Sequence, residues 1–171
     1  MKHVIETSRL YLRELCINDS ESLSIVLSDP ESMKYYPHEF DLEKVRTWIS
    51  WNIDNYRTYQ HGLWAAILKE ENVFLGDCGI TMQDIEGTLV PEIGYHIRKD
   101  YCNKGYATEA AKSCIDYAFN VLNYNEVFSY TKTDNQPSIK VAINNGMHFV
   151  KYFDKEINGL KVHEVLYSIK R

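Results

Sequence analysis

The stretch that most restricts the fold runs from residue 92 to residue 122, and it reads strand, glycine loop, helix. Ala107, Ala110, Ala111, Cys114, Ile115, Ala118, Phe119 and Leu122 recur at the spacing of one apolar helix face. Small residues lead that face, so the start of the helix can approach a sheet closely. Glu92 to Arg98 reads as a strand, and Asn103-Lys104-Gly105-Tyr106-Ala107-Thr108 joins it to the helix. The first turn of a helix has unpaired N–H groups and a partial positive charge, so an anion such as a pyrophosphate is well placed there. The loop lacks the Gly-x-x-x-x-Gly-Lys-Ser/Thr and Gly-x-Gly-x-x-Gly patterns. A glycine before a helix also serves as a plain turn, so the loop alone does not name its ligand.

Around this unit the chain alternates helices and strands. Residues 4–13 read as a first strand, and an acidic helix follows from Asp19 to Ser28, capped by Asp19 or Ser20. Asp41 caps a second helix that runs to Tyr59, with Gly62 as its stop. Leu63–Leu68 and Val73–Met82 are apolar or β-branched runs too short for helices and form a strand pair. Glu86-Gly87 is a turn into the strand Leu89–Arg98. Glu126–Thr133 is the next strand. Pro137 and Gly146 bracket a short helix. Phe149–Lys155 and Lys161–Ile169 alternate as an antiparallel pair around Asn158-Gly159. This is a mixed α/β pattern and not a regular doubly wound one.

The length of 171 residues is that of a single domain, 1–171, and 44% hydrophobic residues suffice for a core. No apolar run approaches the roughly 20 residues of a membrane helix, and residues 1–7 hold no signal-peptide core, so the expected location is cytoplasmic. A net charge of −5 argues against nucleic acid as a partner and mildly favours a cationic substrate, beside its plain effect on solubility. The four cysteines form no Cys-x-x-Cys pair, so no metal site is expected. Cys78 and Cys114 sit in apolar patterns as buried thiols. Cys102 lies in the glycine loop, where it is accessible.

Cys102-Asn103-Lys104-Gly105-Tyr106-Ala107 resembles the Gln/Arg-x-x-Gly-x-Gly/Ala signature of the GNAT N-acetyltransferases, with Gly105 and Ala107 in the small positions and Cys102 departing at the first. Glu92-Ile93-Gly94-Tyr95 is similar to the strand of the ribosomal-protein N-terminal (RimJ/RimL-type) branch. So are Gly105-Tyr106-Ala107-Thr108-Glu109-Ala110, Thr7 to Arg13, and Asn135-Gln136-Pro137-Ser138 running on to Gly146 and Phe149. Cys102-Asn103 replaces a frequent Trp-Gly, and asparagine tolerates the backbone angles such a loop needs. Met147-His148 stands between Gly146 and Phe149, which blurs the last match.

The resemblance implies an α/β (α+β) GNAT-like fold: a mixed, mostly antiparallel sheet flanked by helices and splayed at the coenzyme-binding strand. It implies acetyl-CoA as co-substrate and no metal. The backbone of Asn103, Lys104, Gly105, Tyr106, Ala107 and Thr108 would hold the pyrophosphate. Amides near Ile97 would bind the pantetheine and the acetyl oxygen. Asn135 would contact the pantetheine arm, and Ser138 would lie near the sulfur. The acceptor it implies would be a primary amine, either a protein N-terminus or a small amine such as a polyamine or aminoglycoside. A homodimer stays open.

Acetyl transfer needs a neutral amine, a base for its proton and donors for the oxyanion. Strand alternation puts Glu92, Gly94 and His96 on one face and Ile93, Tyr95 and Ile97 on the other. Glu92 is the candidate base, acting through water, or else a structural strand carboxylate. His96 has a suitable ordinary pKa, or is simply packed or solvated. Ser138 is the candidate proton donor to the leaving thiolate. Asn135 to Ser138 is equally an ordinary helix start, and both readings can hold at once. Tyr130 and Tyr152 are alternative donors that nothing selects among 13 tyrosines. Tyr35, Tyr36, Trp48 and Trp51 either shape the acceptor pocket or fill the core. A coenzyme A-binding module without catalysis is the alternative function.

Overall fold

The computed structural model describes residues 3–157 and 159–171. Its elements are β1 (His3–Glu6), β2 (Leu10–Glu14), α1 (Ser20–Leu27), α2 (Leu42–Tyr59), β3 (Leu63–Leu68), β4 (Val73–Ile85), β5 (Thr88–Ile97), α3 (Tyr106–Asn120), β6 (Glu126–Lys132), α4 (Gln136–Asn144), β7 (His148–Ile157) and β8 (Leu160–Lys170). The strands make one mixed sheet in the order β1-β2-β3-β4-β5-β6-β8-β7, in which β5–β6 is the parallel pair. Among the described residues no helix is long and apolar enough to cross a membrane.

Two helical layers cover the sheet. On one face α3 packs Ala110, Ala111, Cys114, Ile115 and Ala118 against Trp64, Ala66, Ile80 and Ile93. The other face takes α1 and α2, where Leu23, Leu27, Val45 and Ile49 meet Ala65 and Ile67. Trp64–Ala66 and Ala65–Ile67 thus divide between the layers as strand alternation requires. A smaller cluster of Ile85, Val90, Phe153 and Leu166 lies under the C-terminal hairpin. The small residues of α3 do what their spacing implies: Ala110 and Cys114 are fully buried, and a larger side chain there would overpack the layer by about 1–3 kcal/mol.

The sheet parts next to Glu92. β5 pairs with β4 from Thr88 to Ile97, but its register with β6 is given by Glu92 opposite Phe128, and the Tyr95–Ile97 end continues beyond it. Ser129 Oγ donates to the Ile93 carbonyl at 3.1 Å, so a side chain bridges the strands where they begin to part.

Four local expectations are corrected. Residues 4–13 are two antiparallel strands, because Thr7 to Arg9 form a turn: Thr7 N–H donates to the Leu10 carbonyl and Leu10 N–H to Thr7 Oγ1, both at 2.9 Å. Asp19 does not cap α1 with its side chain; its carboxylate takes both Arg13 nitrogens, at 2.8 and 2.7 Å. The second helix stops at Tyr59 through Gln60 in the left-handed region at φ 64°, ahead of Gly62. Gly62 is instead required by packing, since a Cβ there would lie 2.7 Å from the Tyr56 ring. β4 extends three residues past Met82, to the Glu86-Gly87 turn, where both residues have positive φ as a tight hairpin needs. The final hairpin forms with Ile157 opposite Leu160; Gly159 has φ 76°, and Asn158 lies outside the described residues.

Candidate active site

The glycine loop leaves β5 through a short 3-10 turn at Lys99–Tyr101 and enters α3 at Tyr106. Asn103 and Gly105 both adopt left-handed backbone, with φ 62° and 85°, so the asparagine takes the angles expected of it. The first helical bond is Glu109 N–H to the Gly105 carbonyl at 3.0 Å, which leaves the amides of Tyr106, Ala107 and Thr108 as the unpaired first turn. Lys104 does not point an isolated charge at this turn; its Nζ lies 4.7 Å from the centre of the Tyr101 ring. The Cys102 sulfur faces the Ile97 and Arg98 carbonyls. Partial burial and the Asp100 carboxylate push that thiol up, which makes it a poor nucleophile.

The turn at Thr7 to Arg9 is fastened to this loop. One oxygen of Glu109 accepts from Thr7 Oγ1 (2.6 Å), Ser8 Oγ (3.1 Å) and the Arg9 amide (3.0 Å), and the other accepts from Arg9 Nε at 2.7 Å. Arg9 Nη1 reaches the Lys104 carbonyl at 3.0 Å, and its guanidinium lies over the Tyr106 ring. Partial burial alone would raise the Glu109 pKa, but the bonds from Thr7, Arg9 and Ser8 outweigh it and hold the carboxylate below its ordinary value.

Glu92 is buried on the face of β5 that looks toward the loop between α1 and α2. Thr81 Oγ1, opposite it on β4, donates to Glu92 Oε2 at 3.1 Å. Burial raises its carboxyl to about 7, against the lowering effects of the Thr81 bond and the Lys155 and His96 charges; Glu164 raises it further. His96 stands four residues on, on the same face. Its Nδ1 bonds Asp77 Oδ1 at 2.7 Å, and its Nε2 is 2.6 Å from the Tyr36 hydroxyl. Trp48 Nε1 donates to the other Asp77 oxygen at 2.9 Å. Desolvation works against the imidazolium, but Asp77, by charge and hydrogen bond, leaves the His96 pKa raised.

On the opposite face, Tyr95 reaches across to α4. Its hydroxyl donates to the Ser138 carbonyl at 2.9 Å and lies 3.0 Å from Ser138 Oγ. Burial raises the Tyr95 pKa, so this hydroxyl keeps its proton. Asn135 caps α4 by accepting from Ser138 N–H at 3.3 Å, and its Nδ2 donates to Thr131 Oγ1 at 2.8 Å. Ile97 ends β5 opposite Gly76.

The loop residues, Ile97, Asn135 and Ser138 therefore gather around the α3 side of the parted strands, while Glu92 faces the other side. Tyr36, Trp48, Asp77, Lys155 and Glu164 join Glu92 without having been singled out as a group. Asp77 and Glu164 carried a signal, each a lone carboxylate in an otherwise strand-like run. Tyr152 is exposed and stands apart, whereas the Tyr130 hydroxyl enters the Glu92 cleft, where Lys155 Nζ donates to it at 2.6 Å.

With this geometry in place, comparison with known proteins defines the class. The Acetyltransferase (GNAT) domain family matches residues 9–148. Protein YkkB of Bacillus subtilis is 36% identical over 166 residues, which cover 95% of each chain. The solved acetyltransferase (GNAT family) from Bacillus anthracis superposes with a TM-score of 0.82 at 30% identity, covering 97% of each chain. A putative ribosomal-protein-serine acetyltransferase from Vibrio cholerae also reaches a TM-score of 0.82, over 98% of this chain and 97% of that one; at 18% identity the likeness is one of fold. The protein is thus an acyltransferase. It belongs to the GNAT family of N-acetyltransferases, whose reaction draws its acetyl group from acetyl-CoA.

Proposed function

We propose that this chain, acting as one domain, transfers acetyl directly from acetyl-CoA to a primary amine of a protein N-terminus or a small molecule. The observation that carries the reading is the parting of β5 and β6 beside Glu92, with Glu92 on one side and the Tyr95–Ser138 pair on the other. The fit to the co-substrate rests on the unpaired first turn of α3 and on the left-handed Gly105, whose missing side chain leaves the backbone open to a phosphate. Asn103, Lys104, Gly105, Tyr106, Ala107 and Thr108 would hold the pyrophosphate, and Ile97 and Asn135 the pantetheine arm.

When bound, acetyl-CoA supplies an electrophilic thioester carbonyl. Glu92, with a pKa of about 7, is sufficiently ionised near neutrality to take a proton from the incoming ammonium through a water. The N–C bond forms as the C–S bond breaks. The amine's second proton goes to solvent or to the departing sulfur. Ser138 turns its hydroxyl from Tyr95 toward that sulfur, whose pKa near 8.5 makes the demand modest. His96, fixed by Asp77, holds the Tyr36 hydroxyl at the acceptor side.

We place the reaction in the cytoplasm, where thiols stay reduced. This agrees with the free state of the four cysteines, including the buried pair Cys78 and Cys114 with sulfurs 3.7 Å apart. The deciding experiment is an acceptor screen of peptide N-termini and small amines with acetyl-CoA, monitoring thiol release. Coenzyme A binding without turnover on any amine would favour the non-catalytic module instead.

A further inference from the structure

Glu164 takes no part in the acetyl transfer described above, yet it is only 5% exposed, and among the described residues its Oε2 has no hydrogen-bond partner. A buried carboxylate oxygen left unpaired is costly; a proton removes its charge, and a cation bearing N–H donors both balances the charge and supplies the missing hydrogen bond. Glu164 lies on β8 opposite Lys132 of β6 and Phe153 of β7. Two residues on, Leu166 shares its face of β8 and packs with Val90 and Phe153, with Tyr130 against them; Val90 in turn shares the β5 face of Glu92. Glu164 and Glu92 therefore look into one cleft. The Glu164 charge acts on Glu92, Tyr36 and Tyr130.

The protein's own groups do not close this pair. Asp77, the third carboxylate of the cleft, is satisfied by His96 and Trp48. Lys155 lies within electrostatic reach of both glutamates and Lys132 within reach of Glu164, but the Lys155 Nζ donates to Tyr130 Oη and Gln83 Oε1, and among the described residues no ammonium hydrogen-bonds Glu164 Oε2. Along β6 the two glutamates stand four residues apart in register, on opposite flanks. That separates their backbones by roughly 13 Å along the strand and about 10 Å across it. A flexible aliphatic chain can span the remaining gap between the two side chains, passing the Tyr130 and Phe153 rings.

We propose that the acceptor is a dication, a linear aliphatic diamine or polyamine, whose reacting amine lies at Glu92 while its distal ammonium is held by Glu164. This rests on the acetyltransferase reading above and names its substrate class. A peptide N-terminus, with one cationic end and a polar backbone behind it, leaves Glu164 unmatched.

The test is calorimetric binding of diaminopentane and diaminoheptane against pentylamine and heptylamine, to the whole protein in the presence of coenzyme A. The expected result is that at least one diamine binds about tenfold or more tighter than its monoamine, the change that one added charge contact supplies, and that Glu164→Gln abolishes the difference. Equal affinities in the unaltered protein overturn the proposal, and so does a preference that survives Glu164→Gln in a folded variant. The diamine–monoamine comparison needs no variant, so the proposal stays decidable if Glu164→Gln does not fold. Tighter binding of a short peptide with uncharged side chains and a free N-terminus than of either diamine also overturns it. Thiol release is read separately: none with any amine sinks acetyl transfer itself, whereas binding alone decides the dication.

Discussion

Glu109 grips Arg9 at two points, accepting from its backbone amide at 3.0 Å and from its Nε at 2.7 Å. The contact ties the first turn of α3 to a turn a hundred positions earlier in the chain. Through Arg9 Nη1 and the Lys104 carbonyl it also fixes the loop that precedes α3. The loop and the first turn of α3 are thus braced by side chains of a turn far away in the chain.

Arg9 is accordingly a positioning residue. Arg9→Ala should raise the KM for acetyl-CoA several-fold while kcat is largely kept, since loop placement and not chemistry is disturbed. Steady-state kinetics decide this, and a fall in kcat with KM unchanged would contradict it. Glu109→Ala removes charge-assisted bonds from a largely buried carboxylate and should lower stability by about 1–3 kcal/mol in urea unfolding. Because the Glu109 pKa is lower folded than unfolded, its contribution is present above its ordinary 4.5 and is lost as pH falls through the lower, folded value.

Glu92→Gln should cut kcat/KM by about a hundredfold and remove the limb of the pH–rate profile that rises near 7. An unaltered profile would eliminate Glu92 as base. The same group makes a stability prediction of opposite sign to that of Glu109. Its folded pKa is raised, so between about 4.5 and 7 the folded state holds a proton that the unfolded state releases. Stability should therefore fall with rising pH across that window, and Glu92→Gln should flatten that part of the curve.

Ser138→Ala should lower kcat about tenfold with little change in the KM for acetyl-CoA, because the hydroxyl is needed only as the thiolate leaves. Tyr95→Phe keeps the Ser138 hydroxyl and should have the smaller effect on kcat. Unchanged turnover in Ser138→Ala would mean that the Ser138 hydroxyl has no part in the release of the thiolate.

Gly105→Val places a β-branched residue at φ 85° and sets a Cβ about 3.3 Å from Arg9 Nη2. Coenzyme A affinity should fall by more than about tenfold, beyond the loss of stability that the strained backbone produces. Calorimetric titration with coenzyme A on the folded variant measures it, and unchanged affinity would remove the cradle.

The sequence by itself determined the elements whose causes are local. The apolar spacing of α3, the Asp41 and Asn135 caps, the Glu86-Gly87 turn and the alternation of β5 all act within a few residues, and each appears where its pattern places it. What lay outside reach depended on partners far along the chain. The break between β1 and β2 is a local Thr7–Leu10 turn, but its fastening comes from Glu109, a hundred positions along the chain from Arg9. The cleft needs Tyr36, Asp77, Glu92, Lys155 and Glu164 to come from five separate segments, gathered by strand order and register. Only that gathering buries Glu92 and Glu164, and desolvation, which raises both carboxyls to about 7, is a property of the assembled sheet and not of any residue's neighbours in sequence.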